Sequence, residues 1–196
     1  MEILYEDRHI AVGIKPVGLD SEHEVPQKLQ EALGGEFFPV HRLDKNVGGV
    51  MVYARTNAAA AALSRAIQEG TMVKEYVAMV HGTPPENGDW TDLLFKDSSK
   101  NKVFIVKKER RGVKKARLEF TRLREGDASL VRVRLHTGRS HQIRVQFASR
   151  GYPLLGDHKY GAKDNSPAPM LFSCCLTFPL MGKNFRFEAL PDWGKE

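Results

Sequence analysis

Cysteine is nearly absent from this chain. Its two residues, Cys174 and Cys175, are adjacent, so they cannot staple a disulfide framework, and a reduced, cytoplasmic protein is expected. No apolar run approaches the roughly 20 residues that a membrane helix needs. The start, "MEILYEDRHI", is acidic and mixed, which is not the pattern of a secretory signal. The seven histidines form no His-x-x-x-His pair, and neither cysteine has a partner at zinc spacing, so no metal site is expected. A Walker-type phosphate loop and a Gly-x-Ser-x-Gly elbow are also missing. Gly48-Gly49 lacks the Lys-Ser/Thr of a phosphate loop and reads as a strand-entry turn.

What is present is an ordinary globular composition, with 41% apolar and 28% charged residues over 196 positions. That suits one domain over residues 1–196. The net charge of +6 is unevenly spread. From Lys96 to Arg124 there are 12 Lys and Arg against 3 Asp and Glu, a local net of +9, which leaves −3 for the rest. Such a segment is either a solvated face or the footprint of a polyanion, with RNA or DNA the obvious class.

Patterning predicts strands at 3–5 and 10–14, and a helix over "VPQKLQEALGG" with Val25, Leu29, Ala32 and Leu33 on one face, ended by Gly34-Gly35. "GGVMVYAR" reads as a buried strand. The next helix is capped by Thr56 or Asn57 and stopped by Gly70. "VKEYVAMVHG" alternates like a two-faced strand, and Asn87-Gly88 signals a hairpin turn. Further strands are expected at 103–106, at 116–123 and in "SLVRVRL". A helix follows from about Ser140 to Ser149, then a loop through "GDHKYGAKDNSPAP" and a closing strand pair. The fold class is α+β: a mixed, largely antiparallel central sheet with about three flanking helices.

Two segments concentrate polar residues where elements end, which is where sites are usually built. One is "HRLDKN", with Asp44 among His41, Arg42 and Lys45. The other is "HTGRSHQIR", where Arg144 sits between Ile143 and Val145 on a helix. Its stem is expected to run along the core, and a partly buried guanidinium calls for a carboxylate; Asp44 is a candidate. Lys15, in "KPVG", reads as a turn lysine, with a supporting residue near the site as the alternative.

Taken together, "ILYEDRHIAVGIKPVG", "HRLD", "KEYVAMVHG", "HTGRSHQIRVQFASRGYPLLGDHKYG" and "MLFSCCLTFPL" resemble the catalytic domain of the RluA family of RNA pseudouridine synthases. The resemblance covers roughly residues 1–190 and implies a stand-alone catalytic domain, without the S4-type domain that many relatives carry. It implies conversion of uridine to pseudouridine in tRNA or rRNA without a cofactor, by a protein expected to be monomeric. Asp44 is implied as the catalytic carboxylate, acting as nucleophile or as base on the ribose. Tyr76 is implied to stack on the target uracil, and Arg144 to pair with Asp44. His41, Arg42, Arg139, His141 and Gln142 are candidates for substrate binding; Arg42 would fill the gap left by a flipped base or hold a phosphate, and a structural role for His41 is equally open. The family usually continues "HRLD" toward Thr-Ser-Gly, whereas this chain reads Lys45-Asn46-Val47-Gly48-Gly49. That loss is the sequence support for one alternative, an RNA-binding pseudo-enzyme without isomerase activity. A hydrolase using a carboxylate pair would need a second acid near Asp44, which no motif supplies.

Overall fold

A computed structural model describes residues 1–195 and contains eleven strands and three α-helices among them. The chain forms two compact units, one from Met1–Lys74 with the chain from Phe172 onward, the other from Glu75–Leu171.

In the first unit, β1 (Glu2–Glu6), β2 (Ile10–Lys15), β4 (Gly48–Ala54) and β10 (Leu171–Leu180) lie side by side in that order. The short β3 (Phe38–Pro39) pairs with β4, and β11 (Lys183–Glu188) pairs with β10. All these pairs are antiparallel except β4–β10, which is parallel. β4 is buried at every position, because a strand covered on both faces reads as an unbroken apolar run. Helix α2 (Asn57–Gln68) starts where Thr56 Oγ1 accepts the Ala59 N–H, and buries Ala59, Leu63 and Ala66 along one stripe. These side chains join Ile10, Val12, Val50, Val52, Leu176 and Phe178 in one core. Helix α1 (Glu24–Leu33) buries Val25 and Leu29, but Ala32, expected on the same face, is exposed.

In the second unit the order is β5 (Val73–His81), β9 (Ala128–Leu135), β8 (Val113–Arg124), β6 (Asn87–Asp97) and β7 (Lys102–Val106). The β6–β7, β6–β8 and β8–β9 pairs are antiparallel. Helix α3 (Gln142–Ala148) covers one face of this sheet: Val145 meets Leu94, Val103 and Ala116, and Phe147 packs edge-on against Trp90 and Phe120. Arg150, just past the helix, pairs with Asp92 and lies over the Trp90 ring.

Several expectations need correction. Asn87-Gly88 is the start of β6, not a turn, because Gly88 lies directly beneath the Phe120 ring where any side chain would collide. β5 is buried on both faces from Tyr76 to Val80, so its alternation marks no solvent face. α3 starts at Gln142 rather than Ser140, and a 3-10 turn at His158–Tyr160 interrupts the expected loop. Gly48-Gly49 lies inside β4. There Gly49 has φ 130° and faces the Ser173 backbone of β10, so both its conformation and its lack of a side chain are required.

Of the two readings of Lys15, the surface turn residue fails and the supporting one fits. It ends β2 fully buried, and its Nζ donates to the carbonyls of Pro16 (2.9 Å), Leu19 (2.8 Å) and Lys45 (3.2 Å). The Gly18 N–H meets the same Lys45 carbonyl at 2.8 Å. Burial pushes the ammonium down to about 8, so at neutral pH it keeps its proton and all three donors. Replacing it should orphan buried carbonyls: Lys15→Met is expected to lose about 1–3 kcal/mol in a urea melt. Gly49→Ala meets the β10 backbone and should cost about 2 kcal/mol or more by the same measurement. Full stability in either variant contradicts these assignments.

Candidate active site

Asp44 stands at the head of a tight turn. Its carbonyl accepts the Val47 N–H at 2.9 Å, with Lys45 and Asn46 in the middle, and Asp is favoured at such a first position. The turn is held from both sides. Upstream, Ser21 Oγ donates to the Leu43 carbonyl (3.0 Å) and accepts the Leu43 N–H (3.2 Å), while the Tyr53 hydroxyl holds the Ser21 carbonyl at 3.0 Å. Downstream, Lys15 and Gly18 hold Lys45, and Val47 is buried in the core. The backbone around Asp44 is therefore fixed while its side chain stays half-buried. A carboxylate carried on a turn braced in this way starts from a backbone whose position is set by the scaffold.

The local bases are engaged with groups other than Asp44. Arg42 pairs with Glu22 at 2.7 Å and Lys45 with Glu24 at 3.3 Å, both in half-exposed pairs. His41 Nε2 accepts the Val52 N–H at 3.2 Å, which puts the ring proton on Nδ1. Burial, with the positive charge of Lys74, pushes the imidazole down to about 3. His41 is thus a neutral ring holding β4, and no acid–base work near neutral pH falls to it.

In the second unit, Tyr76 is buried on β5. Arg144, on α3, is buried too, and its Nε (2.7 Å) and Nη2 (2.8 Å) donate to the two oxygens of Asp157, itself only 1% exposed. This bidentate pair fixes the plane of the guanidinium. Asp157 was not named as a site residue from the sequence; the "GDHKYG" run was the available signal. The loop carrying it is tightly braced. Asp164 accepts the N–H groups of Gly156 and Ser166 and meets His81 Nε2 at 2.8 Å, and the Ser166 and Gly156 bonds hold its carboxyl well below the usual range. Both His158 ring nitrogens face carbonyls, of Ala162 and of Ser166, which raises that imidazole's affinity for a proton.

The remaining candidates from "HTGRSHQIR" mostly build the entry to α3. Gln142 is buried; its carbonyl oxygen takes the Thr137 hydroxyl and the Arg139 N–H, and its amide nitrogen donates to the Arg117 carbonyl. The Arg139 guanidinium, exposed, holds the Lys115 carbonyl. His141 takes a left-handed conformation, φ 50°, immediately before the helix. These observations describe local bracing by Gln142 and Arg139. The basic segment forms β7, β8 and the connection between them, where Lys107, Lys108, Arg110 and Arg111 are all exposed with one acid, Glu109.

Comparison with known proteins identifies the family. The RNA pseudouridylate synthase family matches residues 9–149, a span that runs through both units. The chain is 34% identical to the dual-specificity RNA pseudouridine synthase RluA of Escherichia coli, over 97% of this chain and 93% of that one. It is 37% identical to an RNA pseudouridine synthase of Aquifex aeolicus over 88% of its own length, though it spans 60% of that protein. Among solved structures, human RNA pseudouridylate synthase domain containing 1 superposes with a TM-score of 0.84 at 23% identity, covering 97% of this chain and 83% of that one. At that identity the superposition speaks for the fold, and the sequence matches carry the rest: the chain belongs to the RluA family of RNA pseudouridine synthases, which are RNA isomerases.

Proposed function

We propose that this chain isomerises specific uridines of tRNA or rRNA to pseudouridine, with Asp44 as the carboxylate that acts on the nucleotide. The observation that carries the proposal is the turn at Asp44, locked by Ser21, Lys15 and Gly18 on its backbone and half-exposed at its side chain. The reaction breaks the N1–C1′ bond, rejoins the ring through C5 to C1′, expels the C5 hydrogen as a proton and leaves N1 to take up a proton in its place. A uracil inside folded RNA does not present C5 and C1′ together, so the nucleotide is flipped out before it reacts. Tyr76 supplies a flat face for it, and aromatic–base stacking is worth about 1–3 kcal/mol. Arg144, oriented by Asp157, serves as the cation that keeps the Asp44 carboxylate ionised once RNA has excluded water.

RNA is held by groups whose present partners are easily exchanged. The Arg42–Glu22 pair is half-exposed, and such surface pairs contribute little, so Arg42 is able to move to a phosphate or into the gap in the stack. The β7–β8 connection supplies a concentrated positive surface. A protein that reads RNA with these loops suits a small stem-loop recognised by shape. The proposal includes a single catalytic domain, a monomer and a cytoplasmic location. In support of the last, no helix among the described residues is long and apolar enough to cross a membrane, and the buried cysteines sit side by side on β10.

Release of tritium from RNA labelled at uridine C5 tests the activity directly. The wild-type chain should release it from a tRNA or rRNA fraction, and Asp44→Asn should reduce release to background while RNA affinity stays within several-fold. Full activity in Asp44→Asn contradicts the assignment, and RNA binding by the wild type without any release identifies an RNA-binding protein that is not an isomerase. RNA affinity should also fall about tenfold or more between 50 and 200 mM salt, measured by filter binding. A flat response removes the basic segment from the interface.

A further inference from the structure

Asp157 holds one edge of the head of Arg144. The guanidinium carbon also lies 5.2 Å from the centroid of the Tyr160 ring, inside the range at which a cation over an aromatic face is attracted. Lys102 Nζ lies 5.2 Å from the same ring. The Tyr160 hydroxyl accepts the Val103 N–H at 2.8 Å and meets His141 Nδ1 at 2.9 Å. Val103 belongs to β7, the last strand of its sheet, so that N–H is a donor on an outer edge. His141 is the left-handed residue that turns the chain into α3. One phenol therefore touches the edge of the basic hairpin, the entry to the helix and the head of Arg144.

We propose that Tyr160 is a positioning residue for the reaction, acting through Arg144. The two contacts constrain different motions. Asp157 grips one edge of the guanidinium and sets its direction; the guanidinium carbon lies over the Tyr160 ring, which bounds its displacement on that side. The hydroxyl holds the ring in place through the backbone N–H of a strand and the ring of the residue that opens α3. It also braces His141, whose left-handed backbone is costly for a residue with a side chain. A misplacement of an ångström in a charge that supports a reacting carboxylate is enough to slow a reaction by orders of magnitude. Tyr160 thereby links the hairpin that offers positive charge to RNA with the cation that serves the chemistry.

This proposal rests on Arg144 serving the reaction, and the experiment separates the two. Single-turnover tritium release and RNA affinity are measured for the wild type, Tyr160→Phe, Tyr160→Leu, Arg144→Lys and the Arg144→Lys/Tyr160→Leu pair. Tyr160→Phe keeps the ring and loses both hydroxyl bonds; its rate should fall about 3- to 10-fold with affinity unchanged. Tyr160→Leu also removes the ring and should be slower by about 30-fold or more, again at unchanged affinity. In the Arg144→Lys background the Leu substitution should add no further loss, because both changes act through one group. Wild-type rates in both Tyr160 variants beside a slow Arg144→Lys enzyme overturn the proposal alone. So does a parallel loss of rate and affinity in Tyr160→Phe, which decides the question should Tyr160→Leu unfold its loop. An Arg144→Lys enzyme at the wild-type rate overturns the reading of Arg144, and the role of Tyr160 with it.

Discussion

The buried ammonium of Lys15 organises the first unit. A charge taken out of water must be satisfied where it lies, and Lys15 is satisfied by three backbone carbonyls rather than by a paired carboxylate. Two of those carbonyls belong to the loop after β2 and the third to Lys45, the residue after Asp44. The demand of one cation for acceptors therefore draws two loops together and fixes the backbone beside Asp44. The hydrogen bonds to that cation come from carbonyls, so the brace acts on backbone on both sides of the turn.

The second unit repeats the logic with a guanidinium. Arg144 lies in an apolar stretch of α3, is held by Asp157 along one edge and has its guanidinium carbon over the Tyr160 ring. Asp157 and Tyr160 both sit on a loop that has little regular structure, yet Asp164 and His158 stitch that loop to itself through backbone groups. Rigid positioning in this family member thus comes from side chains that satisfy backbone polar groups. That explains how irregular segments can carry residues whose direction matters.

The elements whose burial followed their own patterning were legible in advance. β4 announced itself by an unbroken apolar run, α2 by its Thr56 cap and alanine face, and the ends of α1 and α2 by Gly34 and Gly70. Misreadings occurred where a distant contact overrode the local signal. Asn87-Gly88 is a turn dipeptide by local rule, but Phe120 needs the empty space above Gly88, and so the pair enters a strand. Gly48-Gly49 resembled a turn for the same reason, until β10 came alongside and required a residue without a Cβ at 49.

Family, fold class and candidate reactive residues were set by the sequence alone, because motif spacing and the order of apolar runs are local properties of the chain. Which groups hold those residues was decided only in the folded molecule. The Lys15 carbonyl cage, the Ser21 grip on Leu43, the Asp157 fork on Arg144 and the Tyr160 contacts all join residues separated along the chain. Any Asp, Lys or Tyr of the right size satisfies the linear pattern. Directional hydrogen bonds and buried charges select among them only when tertiary packing has removed water and left each group one place to turn.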